Sequence, residues 1–125
     1  MHFHAPARWK SITRNLLILS LCCNSSTLFA NGNPEVEVEI IKFKFQPREI
    51  TVKVGDTVRW INREKRQYHS VWFEQAGDPE PDYIFPDEAY ERTFDTPGTF
   101  PYRCGPHSKM TGTVTVEVTY QQGNY

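Results

Sequence analysis

The sequence predicts an all-β domain, an antiparallel Greek-key β-sandwich of about seven to eight strands. Three observations carry this. Apolar residues alternate with polar ones at period two in several short runs, turn signals separate those runs, and no stretch keeps the 3.6-residue period of an amphipathic helix.

The first run has Val36, Val38 and Ile40 between Glu35, Glu37 and Glu39, the pattern of a half-buried strand. The phase then slips, with Ile41, Phe43 and Phe45 set between Lys42 and Lys44. Adjacent apolar residues at 40 and 41 suggest a β-bulge or a strand that changes sheets. Gln46-Pro47 breaks the run, and Ile50, Val52 and Val54 resume the alternation up to the Gly55-Asp56 turn. Strands are expected at Thr57–Ile61 and Tyr68–Phe73. A long loop with Pro79, Pro81 and Pro86 follows. Ala89–Phe94 and Thr99–Arg103 flank the Thr96-Pro97-Gly98 turn, and Val114, Val116 and Val118 alternate in the last strand.

The chain has 125 residues, enough for one domain. Residues 1–30 read as a secretory signal peptide, cleaved near Ala30–Asn31, ahead of a single domain at 31–125. Arg8, Lys10 and Arg14 form a basic start, Leu16–Cys23 is an apolar run, and Asn24–Ala30 is a polar stretch ending on a small residue. A membrane anchor would need about 20 apolar residues, which this run does not supply. A lipoprotein would attach at Cys22 or Cys23, but Leu21 is not the small residue such signals carry before the cysteine. The implied compartment is the periplasm.

Losing the leader removes three of the 14 basic residues and none of the 15 acidic ones, leaving a net charge of −4. That balance argues against a general nucleic-acid binder, which needs a basic surface. The mature chain keeps two His, one Cys and one Met, namely His69, His107, Cys104 and Met110. A single cysteine in a secreted domain is unusual, because such domains normally pair their thiols.

Taken singly, each of the four has an ordinary reading. Buried Cys and Met are common core residues, and His69 fits a satisfied strand histidine. Their grouping changes the reading. Cys104, His107 and Met110 fall in one loop between two expected strands, and His69 is the one imidazole left to join them. A trigonal His₂Cys set with a weak axial Met is the arrangement of blue-copper sites. Zinc sites are built from Cys, His and carboxylates, and an iron–sulfur cluster needs more thiolates.

The segment Tyr102-Arg103-Cys104-Gly105-Pro106-His107-Ser108-Lys109-Met110-Thr111-Gly112-Thr113-Val114 resembles the copper loop of plastocyanins, pseudoazurins and amicyanins. Its Cys-to-His and His-to-Met spacings are most like amicyanin. Phe45-Gln46-Pro47 and the run from Ile50 to Asn62 resemble the strands leading to the first copper histidine of that family. Thr96-Pro97-Gly98-Thr99-Phe100 resembles its turn before the cysteine strand. The resemblance covers nearly the whole mature domain. It implies a cupredoxin fold and one copper ion per chain, with His69, Cys104 and His107 as equatorial ligands and Met110 as the axial one. It also implies a mobile one-electron carrier, not an enzyme, that meets redox protein donors and acceptors transiently. Such a carrier would be a monomer with no nucleic-acid partner and no stable membrane insertion after cleavage. The alternative is a periplasmic copper-tolerance cupredoxin that binds or oxidises Cu(I).

Two departures from the family pattern stand out. Many relatives carry Asn after the first copper histidine, tying the two ligand loops together, where this chain has the shorter Ser70. The loop Arg63-Glu64-Lys65-Arg66 is strongly charged, which reads first as an ordinary solvated loop and second as a basic collar that would steer an acidic partner.

Overall fold

The structure, a computed structural model, describes residues 35–120. The expected leader lies outside the described residues. Seven strands run in the order β1 (Glu35–Ile41), β2 (Lys44–Gln46), β3 (Glu49–Lys53), β4 (Thr57–Asn62), β5 (Ala89–Thr93), β6 (Gly98–Arg103) and β7 (Thr111–Glu117). A single 3-10 turn, Glu74–Ala76, is the one helical element among the described residues.

The strands form two sheets, ordered β2-β1-β4-β5 and β3-β7-β6. The expected sandwich is present, but its pairing is mixed and not wholly antiparallel. β1 runs parallel to β4, with Val38 opposite Trp60, and β3 runs parallel to β7, with Val52 opposite Val116. The reason is topological. After β2 the chain crosses to the other sheet for β3, then returns to the first, so β4 re-enters beside β1 pointing the same way.

The slip at Ile40 and Ile41 is a hairpin, not a bulge. β1 and β2 pair antiparallel, with Ile40 opposite Phe45 and Ile41 opposite Lys44, so Lys42 and Phe43 form a two-residue turn. Both have positive φ, 52° and 55°. Hairpin turns of this length favour Asn and Gly because they demand left-handed backbone. A bulky residue there is a conformational outlier. The Phe43 N–H donates to Glu64 Oε1 at 2.7 Å, which holds the turn from outside.

The expected strand at Tyr68–Phe73 forms no ladder. It makes isolated bridges, His69 to Ile84 and Trp72 to Arg103, which pin it to the long loop before β5 and to the end of β6.

Alternation sorts β1 and β7 into an inward and an outward face, whereas β4 ends in three consecutive buried residues, Trp60, Ile61 and Asn62. Val38, Ile40, Val58, Trp60, Val114 and Val116 point inward and are buried. The polar face of β1 carries a ladder of ion pairs, in which Arg59 reaches Glu35, Glu37 and Glu91, and Arg63 reaches Glu37 and Glu39. These pairs are solvent-exposed, so each adds at most about 1 kcal/mol. An aromatic cluster fills the core, with the Trp60 ring beside Phe73, Tyr90, Phe94 and Tyr102. Gly112 is fixed by this packing, because a Cβ at that position would overlap the Tyr102 ring.

Candidate metal centre

Two loops at one end of the sandwich bring the site together. His69 comes from the segment after β4, and Cys104 to Met110 form the loop between β6 and β7. β6 and β7 pair up to Arg103 opposite Thr111, so the loop closes immediately above a ladder. Two backbone bonds fold it, from Cys104 N–H to Met110 C=O and from Met110 N–H to His107 C=O, both 2.9 Å. Met110 is buried at the foot of this fold.

His69 Nδ1, His107 Nδ1 and Cys104 Sγ converge. The nitrogens are 3.2 Å apart, and the sulfur lies 3.7 Å from His69 and 3.5 Å from His107. A point equidistant from all three atoms would be about 2.0 Å from each, close to the length of about 2.0–2.1 Å that zinc–imidazole bonds take. Hydrogen bonds can link these groups in pairs, depending on the imidazole tautomers, whereas a single cation between them engages all three lone pairs at once. The donor set therefore fits a soft transition metal.

The electrostatics agree with ligand roles. Burial holds the His69 pKa below its usual value and His107 lowers it further, against an opposing pull from Glu64. The neutral imidazole, the form that can ligate, is thereby favoured. Burial pushes the Cys104 thiol up, opposed first by the Ser70 backbone N–H. A cation at the sulfur replaces the proton that burial would otherwise retain.

Further residues orient these groups. Ser70 ties the loops despite its short side chain. Its Oγ accepts from Gly105 N–H at 2.8 Å, and its own N–H donates to Cys104 Sγ at 3.4 Å. The loops approach closely enough that a Cβ on Gly105 would sit 2.9 Å from Ser70 Oγ. Pro106 has no N–H, so it offers the sulfur no second donor. Buried Asn62 spans the other side. Its Nδ2 donates to the carbonyls of Gln67 at 2.7 Å and Ile84 at 2.9 Å, and its Oδ1 accepts from Glu64 N–H. Glu64 then places Oε1 3.8 Å from His69 Nε2, on the ring edge away from the cluster. The Phe43 ring meets both imidazoles edge-on, at 5.5 Å from His69 and 5.0 Å from His107. Arg103 clamps the start of the loop, donating to Glu74 and to the carbonyls of Cys104 and Gly105 while lying over the Trp72 ring.

Sequence reasoning missed Asn62, Glu64, Phe43 and Arg103. Asn62 reaches Ile84, Glu64 reaches Phe43 and Arg103 reaches Glu74, all distant in sequence, and no local spacing announces these contacts. Of the basic residues before His69, Arg63 is turned to Glu37 and Glu39 on the sheet face. Lys65 and Arg66 remain exposed beside Lys42, around the same surface hollow.

Residues 33–117 match the family of copper binding proteins described as plastocyanin/azurin. The chain belongs to that family. Among its relatives, this cupredoxin is 43% identical over 86 residues to amicyanin of Paracoccus denitrificans, an alignment covering 66% of this chain and 65% of the relative. It is 36% identical to the plastocyanin of Scenedesmus fuscus, over 58% of this chain and 86% of the relative. Solved amicyanins share the fold. The Paracoccus versutus protein superposes with a TM-score of 0.63 at 37% identity, covering 69% of this chain and 84% of that one. A Cu(I) amicyanin variant gives 0.62 at 40% identity, over 69% and 85%.

Proposed function

We propose that this cupredoxin is a secreted, periplasmic one-electron carrier that holds one copper ion through His69, Cys104, His107 and Met110. The convergence of two imidazole nitrogens and one thiol within 3.7 Å, in a chain of this family, carries the reading. Copper in such a site supplies a centre that cycles between Cu(I) and Cu(II).

The chain's own groups do the remaining work. The Ser70–Gly105 bond and the Asn62 bridges fix both ligand loops to the sheets, so the ligands move little when the charge changes. His107 is partly exposed next to exposed Pro106 and gives the nearest route to the surface, while His69 and Cys104 are buried. Phe43 covers the imidazoles and limits water access.

Native mass spectrometry with a visible spectrum of the oxidised protein tests this. One copper per chain and an intense thiolate-to-copper band are expected. Two tightly held ions, or preferential loading of zinc when both metals are offered, would count against it. Met110→Leu should leave copper bound by three ligands and raise the reduction potential, because a weak donor to Cu(II) is lost. Electrochemistry showing an unchanged or lower potential would remove Met110 from the site.

A further inference from the structure

Both peptide units that flank the Cys104 Cα are held at each end. In the unit before it, Arg103 C=O accepts from Trp72 N–H at 2.8 Å, and Cys104 N–H donates to Met110 C=O at 2.9 Å. In the unit after it, Cys104 C=O accepts from Arg103 Nη1 at 3.1 Å, and Gly105 N–H donates to Ser70 Oγ at 2.8 Å. A peptide unit is planar, so fixing its oxygen and its nitrogen fixes the whole plane. With both planes set, the Cα–Cβ bond of Cys104 is aimed. Only rotation about that bond is left to place the sulfur, and Ser70 N–H, 3.4 Å from Sγ, restrains it. Of the four bonds that hold the planes, three use the backbone or Ser70. The fourth is the Arg103 side chain.

That guanidinium is itself secured by several partners. Its Nε donates to Glu74 Oε2 at 2.6 Å, its plane lies over the Trp72 ring at 4.5 Å, and Nη1 also reaches Gly105 C=O at 3.1 Å. Glu80 faces the same cation, and its carboxylate crowds Gly105, where a Cβ would lie 2.8 Å from Oε1. Trp72 is held in turn by its indole N–H, which donates to Asp78 C=O at 2.9 Å, and its neighbour Phe73 is buried in the core. Trp72 and Glu74 follow His69 in one segment. Arg103 therefore ties the cysteine loop to the segment that carries the other buried donor, in addition to the Ser70–Gly105 bond.

The pair of Arg103 with Glu74 is partly exposed, and water screens such pairs, so it adds little to the stability of the sandwich. Its geometry is demanding all the same. A guanidinium presents five N–H donors in one rigid plane, so a single group holds a carboxylate on Nε and two carbonyls on Nη1. A lysine ammonium carries the same charge without that plane. The arrangement thus calls for this side chain's shape as well as its charge.

We propose that Arg103 is a positioning residue for the metal centre, whose planar guanidinium locks the Cys104–Gly105 peptide against the Trp72–Glu74 segment and so sets where the Cys104 sulfur stands. The proposal rests on the copper reading above. Arg103 touches no metal and acts only through Cys104. Groups that orient a metal ligand in this way change affinity or activity about 10–100-fold when lost.

The test compares the unsubstituted protein with Arg103→Leu and Arg103→Lys. Its first arm measures amide hydrogen exchange, residue by residue, on the metal-free proteins. Both variants should exchange about tenfold faster at Cys104, Gly105 and Met110, while amides in β1 and β4 keep their protection. The second arm loads Cu(II) and follows the thiolate-to-copper band and the release of copper to a chelator. Both variants should alter the shape of the band and lose copper about tenfold faster. Unchanged loop exchange would overturn the proposal. So would full protection in Arg103→Lys, which shows that charge suffices without the planar group. A uniform rise in exchange across both sheets would assign Arg103 to stability alone and overturn it too. Faster loop exchange with an unaltered band and release rate would show a steadied loop that does not set the sulfur, which also sinks it. If Arg103→Leu does not fold, Arg103→Lys decides. An unsubstituted protein that takes up no copper would sink the metal reading, and the exchange arm would still decide whether Arg103 locks the peptide.

Discussion

Cys104→Ser abolishes the intense visible band of the oxidised protein. The band requires a thiolate bonded to Cu(II), and a serine hydroxyl is neither as soft nor as readily deprotonated. Copper affinity falls as well. Loss of a residue that merely supports a ligand costs about 10–100-fold in affinity, so loss of the sulfur itself should reach at least the upper end of that range. The effect should be confined to the loaded protein. Cys104 and serine are similar in size, and the site's other bonds, from Gly105 to Ser70 and from Met110 to His107, do not involve the sulfur. Absorption spectra and copper titrations of the variant, beside thermal unfolding of both metal-free proteins, check this. Retained colour would mean that Cys104 is not a ligand.

Trp60→Ala gives the largest loss of stability. Trp60 is 0% exposed and touches four other rings, among them Tyr102, two residues before Cys104. Truncating a buried aromatic to alanine costs about 3–5 kcal/mol. Small domains have about 5–15 kcal/mol in total, so much of the stability goes. Trp60→Phe should be far milder. The indole Nε1 is buried, with the Tyr102 hydroxyl as its polar neighbour and no hydrogen bond of ordinary geometry, so phenylalanine loses little polar pairing along with some area. Urea denaturation should show a large drop in midpoint for alanine and a small one for phenylalanine. A loss below about 1 kcal/mol for Trp60→Ala would mean that the core closes over the gap more readily than cores of this density do.

Much of the fold and of the site is legible in the sequence, and the exceptions share a cause. Glu35 to Ile40, Ile50 to Lys53 and Thr111 to Glu117 alternate cleanly, so the alternation alone assigns their buried and exposed faces. The proposed ligands are legible because residues 31–125 hold so few soft donors, three of them within seven positions. The Lys42–Phe43 turn is not. It lacks the Asn or Gly that marks a two-residue hairpin, and part of what secures it is Glu64, 21 residues away. Parallel pairing of β1 with β4 leaves no mark on either strand's alternation. The same holds for Tyr68–Phe73, whose apolar content fits a ladder, but whose neighbours in space offer only single bridges. Ser70 shows the limit of comparing side-chain lengths, since the chain approaches closely enough at Gly105 for the shorter group to reach.

The separation of His69 from Cys104 by 35 residues also bears on how the protein matures. Cys104, His107 and Met110 are neighbours along the chain and stay near one another even when it is unfolded. His69 is not, and it joins them only once both sheets have closed. An unfolded chain would therefore hold copper only loosely on the proposed local trio, and would gain the second imidazole, and the shape that selects the metal, as a product of folding. Whatever affinity His69 and the fixed triangle add is returned as resistance of the loaded protein to unfolding. Heat or denaturant would then release the metal together with the collapse of the sandwich, and tight loading would follow folding.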